Sequence, residues 1–332
     1  MYVLVGWVGS ISSKSRTRRF QGGGYDYLCF ELQSRCVARS RGRQRAPCQR
    51  ATARAPWLMT GGTASSGKPE PSDEREGKSS SEPPAPKYRA EELLAWLESA
   101  DPTTRLRAVL ACRHLTAVEA APVLEKAVRI NEPEVQNRSF AALALGYLPN
   151  ERSYELLSGI LRNDISGEVR SSAAAALGYL GERRAVPELR IALLEDFHWS
   201  TRISAAVSLG LLQDERAFDA LVDGLRLARR YRREEGNALK RACLGSLGEL
   251  GMPQAVSHLV FYAQERDFLT RQVLAEALGR LLHRTRRLEA DRMTQRQLQL
   301  ARECLEYLAR DDHENVRRAA QLALANLSVV SD

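Results

Sequence analysis

The stretch "GEVRSSAAAALGYLGERRAVPEL", Gly167 to Leu189, holds four consecutive alanines, a Leu-Gly pair and no residue suited to catalysis. Its apolar residues recur at three- and four-residue steps, the spacing of an amphipathic helix. Near-copies of it decide the architecture. With Gly178 as anchor, Gly146 lies 32 residues before it and Gly210 lies 32 after. Gly248, Gly279 and Ala325 follow at intervals of 38, 31 and 46, and His114 takes the slot 32 before Gly146. Seven copies in register mark a repeat. Between them, "SYELLSGILRN", "RAVPELRIALLED", "RAFDALVDGLRLA" and "QAVSHLVFYAQ" supply another helix per unit. A single helix pair cannot bury its own apolar face, but stacked pairs form a continuous core. The expected fold is all-α, an α-solenoid of about seven helix pairs over residues 87–330. The alanines permit close helix approach, and the leucine before the glycine fills the seam.

The 332-residue chain carries a formal net charge of +8, which invites a nucleic-acid reading. The charge is unevenly placed. Residues 1–58 hold 11 basic and 2 acidic residues, leaving 38 basic and 39 acidic for residues 59–332. The repeat region therefore lacks the electrostatic footprint of a nucleic-acid binder. Residues 1–58 read as a disordered basic extension, either a transit segment or sequence upstream of a start at Met59. Residues 59–86 are a Pro/Ser/Gly-rich linker expected to be disordered. Within it, "GTASSGKP", Gly62 to Pro69, has the spacing of a phosphate-binding loop. Pro69 stands where that loop needs the hydroxyl of Ser or Thr, so the linker reading holds.

No apolar run approaches the ~20 residues of a membrane span. Six cysteines, none in a Cys-x-x-Cys pair, suit a reducing compartment with thiols used as small core residues. The chain is expected in the cytoplasm, or in a plastid if residues 1–58 are a transit segment.

Eight positions before the anchors stand Arg138, Arg170, Arg202, Lys240, Arg271 and Arg317; the first copy has Leu106 there. Each follows polar or acidic loop residues such as Asp164, Asp196 or Asp312. The expectation is a structural ladder of inter-repeat hydrogen bonds, with an anion-binding track as the alternative.

"EVRSSAAAALGYLGERRAVPELRIALLED", "STRISAAVSLGLLQDERAFDALVDGL" and "NVRRAAQLALANL" resemble HEAT repeats of the type named for phycobilisome lyases. The resemblance implies that the second helix of each unit lines a concave face. A helical wheel sets Ser171, Ala175 and Gly178 opposite the core, with Ser139, Leu143 and Gly146 before them and Ile203, Val207 and Gly210 after. These nine residues are either an apolar partner-binding strip or a seam buried between repeats. Arg107 and His114 flank the strip at one end, and Arg241, Gln272, Glu276 and Arg318 at the other. Two insertions break the period, Arg226 to Asn237 and His283 to Gln297. In the first, Arg229, Arg230, Tyr231, Arg232 and Arg233 are a candidate basic contact, or simply complement a helix C-terminus.

The expected function is a non-catalytic scaffold or adaptor binding another protein through its concave face, with no cofactor and no metal. The resemblance implies an alternative, a bilin lyase subunit or chaperone acting on light-harvesting proteins. A linear tetrapyrrole would then be the ligand, and a second HEAT-repeat protein the heterodimer partner. Another HEAT-like family, the di-iron hydroxylases that complete hypusine, uses several His-Glu pairs on successive repeats. Here only His313-Glu314 matches, and His114, His198, His258 and His283 are not followed by Glu. A cage for two irons needs more, and the lone pair reads as a helix start.

Overall fold

A computed structural model describes residues 88–129, 132–231, 233–286 and 291–328; the divisions at 1–58 and 59–86 lie outside them. The described residues form seven helix pairs. These are α1 (Ala90–Trp96) with α2 (Pro102–Ala111), α3 (Ala117–Ala127) with α4 (Val135–Tyr147), and α5 (Ser153–Asn163) with α6 (Gly167–Leu180). Next come α7 (Val186–Glu195) with α8 (Trp199–Leu212), and α9 (Phe218–Ala228) with α10 (Glu234–Leu250). The last are α11 (Val256–Leu259) with α12 (Phe268–Thr285), and α13 (Arg292–Leu308) with α14 (Glu314–Ser328). The opening stretch is thus α6, a turn and the start of α7.

Local chemistry sets the boundaries. Asp101, Asp267 and Asp291 accept backbone N–H bonds at the starts of α2, α12 and α13, as N-cap carboxylates do. At the far ends, Gly181 after α6 and Gly251 after α10 adopt φ of 76° and 67°, left-handed conformations that need no Cβ. Gln213 closes α8 in the same region at φ 51°.

Each second helix packs on the first helix of its unit and on the second helices of its neighbours. The second helices from α4 to α14 meet along much of their length, whereas first helices touch only in places. Small residues explain the asymmetry. A Cβ on Gly146 would lie 2.8 Å from the Ala176 Cα, and one on Gly248 would lie 2.6 Å from the Ala277 Cα. Leu145, Leu177, Leu209, Leu247 and Leu278, each one residue before an anchor glycine, are fully buried in the core. A tightly spaced second layer beside a loosely spaced first layer curves the stack toward the second helices.

Cys112, Cys243 and Cys304 are free and buried. Burial pushes the Cys112 thiol up to about 12 and that of Cys304 up to about 11, so these are packing residues rather than nucleophiles. No helix among the described residues is long and apolar enough to cross a membrane.

Candidate docking surfaces

The arginine ladder is a set of clamps between units. Arg138 on α4 donates from Nε and Nη2 to the Asp164 carboxylate of the next unit at 3.0 and 3.2 Å. Its Nη1 donates to the Glu132 and Pro133 carbonyls of its own loop. Arg170 repeats the pattern, with Asp196 at 2.7 and 2.9 Å and the Asp164 and Ile165 carbonyls. Arg271 repeats it again with Asp311, across the second insertion. Asp164, Asp196 and Asp311 also accept the backbone N–H two residues on, so one carboxylate shapes its own loop and ties it to the previous unit.

These pairs set charge states. Hydrogen bonding to Asp196 holds the Arg170 guanidinium above its ordinary value. Burial raises the Asp196 carboxyl, but Arg170 and the His198 amide outweigh it and leave the group low. Arg271 holds Asp311 low in the same way.

Three details differ from the sequence register. The first unit has its clamp in Arg105, one residue before Leu106, paired with Glu132 at 2.9 Å. In the fifth unit the clamp is shared: Lys240 reaches Glu265 at 3.0 Å, while Arg241 pairs with Asp267 at 2.7 Å and with Glu234. Arg241 is 1% exposed, so it does not flank a groove in solvent. Arg202 and Arg317 find only carbonyls, those of Leu193, Leu194 and Asp196 for Arg202 and of Asp311 and Asp312 for Arg317.

The nine-residue strip divides. Gly146, Gly178 and Gly210 are buried against the next second helix, where a Cβ would meet Ala176, Ser208 or Ser246. Ser171 is buried and bonds Ser204 at 2.7 Å, and Ala175 is buried too. An isolated-helix wheel omits the lateral neighbours, so it set the glycines about 100° from the free face. Ser139, Leu143, Ile203 and Val207 remain partly exposed. The free face continues one residue beyond each glycine, at Tyr147, Tyr179 and Leu211, which the sequence reading passed over. The two tyrosines stack at 4.8 Å, and Leu211 is 38% exposed.

The first insertion makes a second surface. Arg229 and Arg230 follow the end of α9, the favourable end of a helix dipole for cations. Arg233 is the N-cap of α10, the unfavourable end. Trp199, Arg230, Tyr231, Arg233 and Glu235 line an open cleft of about 580 Å³. Trp199 meets the Tyr231 ring edge-on at 4.7 Å, and Arg229 lies over Phe261 at 4.5 Å. Arg232 lies outside the described residues.

His313 stacks on Phe268 at 3.7 Å and accepts the Asn315 N–H, the helix-start role expected of it. Among the described residues no group of three or more His, Cys, Asp or Glu side chains is placed to hold a metal ion.

A family model described as HEAT repeats matches residues 90–178 and 160–240. The chain is a HEAT-repeat protein. Among solved structures it is similar to the complex of CpcE and CpcF of phycocyanin lyase from Nostoc, at 23% identity and TM-score 0.45, covering 77% of this chain and 82% of that one. It is also similar to an engineered protein, at 19% identity and TM-score 0.47, covering 72% and 68%. Human deoxyhypusine hydroxylase aligns at 19% identity and TM-score 0.32, covering 72% and 95%. No curated protein sequence matches the chain. In this HEAT array the ladder residues are thus interior fastenings, and the surfaces left to a partner are the free face of the second helices and the insertion cleft.

Proposed function

We propose that this HEAT-repeat protein is a non-catalytic adaptor that holds another protein against the free face of α4, α6 and α8. The observation that carries the reading is a row of partly exposed apolar side chains repeating every 32 residues. It runs through Leu143 and Tyr147, then Tyr179, then Val207 and Leu211. Ala175 and Ser171 between them are small, so the middle helix forms a shallow floor between bulkier neighbours. A contiguous apolar patch on a soluble surface is a common mark of a binding site.

Affinity capture from the native host tests it, using wild type beside a Leu143→Asp, Leu211→Asp double variant. The expected result is loss of the wild-type partner with melting little changed, because a complex would have to bury two unpaired carboxylates. Recovery of the same partner by both proteins would exclude this face. A coloured complex on co-expression with a linear tetrapyrrole supply would instead favour a pigment-handling role.

A further inference from the structure

The ladder is interrupted at one internal position. In three units the second-helix arginine finds an aspartate or glutamate 26 or 27 residues on, as in Arg105–Glu132, Arg138–Asp164 and Arg170–Asp196. The residue 26 positions after Arg202 is Ala228, fully buried at the end of α9. No carboxylate reaches this guanidinium. Its Nε and Nη1 turn back to carbonyls of its own unit, and its Nη2 has no acceptor among the described residues. Where the acid would stand, the chain carries Arg229, Arg230 and Arg233 instead.

Neither Arg230 nor Arg233 has a hydrogen bond or ion pair among the described residues, and both are exposed. Arg233 opposes the dipole of the helix it starts, so helix stability does not account for it. The two face one acid, Glu235, across the cleft walled by Trp199 and Tyr231. Arg202 lies behind that wall, its guanidinium 5.6 Å from the Trp199 ring. Phe197, two residues before Trp199, is 95% exposed and extends the apolar rim.

We propose that this cleft binds an acidic segment of a partner protein, taking a carboxylate on Arg230 and Arg233 and an adjacent aromatic or aliphatic side chain against Trp199 and Tyr231. The fold meets the same need elsewhere with its own carboxylates, and guanidinium groups select planar carboxylates by paired hydrogen bonds. Apolar walls around the charge give the attraction a lower local dielectric than open water. A basic, aromatic surface also suits single-stranded nucleic acid, but the repeat region is close to neutral and the basic groups here are confined to one loop. The site is separate from the free face of the second helices and stands or falls independently of it.

The test is fluorescence anisotropy on the full chain with a labelled, end-blocked heptapeptide alternating glutamate and phenylalanine. A matched glutamine–phenylalanine peptide and an oligouridylate serve as the other probes. The glutamate peptide is expected to bind, and the glutamine version to bind about tenfold more weakly or worse. An Arg230→Ala, Arg233→Ala variant should lose the preference between the two peptides while keeping wild-type melting, since both side chains are exposed. Tyr231→Ser should weaken both peptides alike. Equal binding of the two peptides by wild type, or an unchanged preference in the arginine variant, would overturn the proposal. So would no binding of the glutamate peptide, or tighter binding of oligouridylate.

Discussion

Two neighbouring seams, α6 with α8 and α8 with α10, share one end and differ at the other. At the glycine end they match. Ser208 donates to the Ala174 carbonyl at 2.8 Å beside Gly178, and Ser246 donates to the Ala206 carbonyl at 2.8 Å beside Gly210. At the arginine end they part. The first seam holds the Arg170–Asp196 pair, the Ser171–Ser204 hydrogen bond and a Thr201 hydroxyl donating to the Gly167 carbonyl. The second has Arg202 folded back on its own unit and an insertion carrying a cleft. The contrast teaches a division of labour. The glycine end fixes the spacing of units and is kept everywhere, while the arginine end can be opened where the chain needs room for a loop.

The largest difference should appear when the clamps are removed. Arg138 and Asp164 are almost wholly buried, at 4% and 3% side-chain exposure, so Arg138→Ala leaves a buried carboxylate unpaired. A loss of about 3–5 kcal/mol in chemical denaturation is expected. Arg170→Ala, with a slightly more open pair, should cost about 2–3 kcal/mol. Arg202→Ala forfeits bonds to carbonyls only and should cost about 1 kcal/mol. If Arg202→Ala proved as damaging as Arg138→Ala, the distinction between closed and open seams would fail.

The shared end is sharpened by adding one carbon. Gly178→Ala and Gly210→Ala each force a Cβ to within 3 Å of the facing helix, so each should destabilise by about 1–3 kcal/mol despite alanine's better helix propensity. The two should fall by similar amounts. Gly159, on the first helix α5, has nothing within 4 Å of its added Cβ, and Gly159→Ala should stabilise by about 0.5–1 kcal/mol. Melting curves of the three variants check both signs together.

Acid should loosen the clamped seams selectively. Asp196, Asp267 and Asp311 have carboxyls held below their ordinary value in the folded chain. A group depressed on folding contributes its stability above the unfolded pKa, about 4. That contribution is lost as pH falls through the lower folded value. Thermal midpoints should therefore be flat from neutrality to about pH 5 and fall below about pH 4. Replacing Asp196 with Asn should flatten part of that decline. The smallest effect expected is at Gln213, whose left-handed φ of 51° suits glycine. Gln213→Gly should raise stability by up to about 1 kcal/mol, measured as a shift in denaturation midpoint.

Much of this was legible in the sequence because close packing leaves a periodic record. The anchor glycines marked the second helices, and the leucine before each proved a core residue. The ladder was visible too, but its register slipped where the first unit ends in a short 3-10 turn at Cys112–His114, so Leu106 was counted in place of Arg105. In the fifth unit two adjacent basic residues divide one task, which no spacing rule separates. The partner acids were within reach of sequence reasoning, since an offset of 26 from Arg138 and Arg170 lands on Asp164 and Asp196. Applied to Arg202, the same offset lands on Ala228 and exposes the gap. The nine-residue strip fared worst. A wheel treats a helix as alone with one core, whereas each of these helices is enclosed on three sides, and Gly178 faces its neighbour rather than solvent.

A double-mutant cycle on Arg170 and Asp196 tests most directly whether a carboxylate from the next unit closes the seam. Stabilities of wild type, Arg170→Ala, Asp196→Ala and the double variant give the coupling between the two side chains. A favourable coupling of about 1.5–3 kcal/mol is predicted, matching a desolvated, paired hydrogen bond. A coupling within about 0.5 kcal/mol of zero would contradict it, and the seams would then be held by their glycine ends alone.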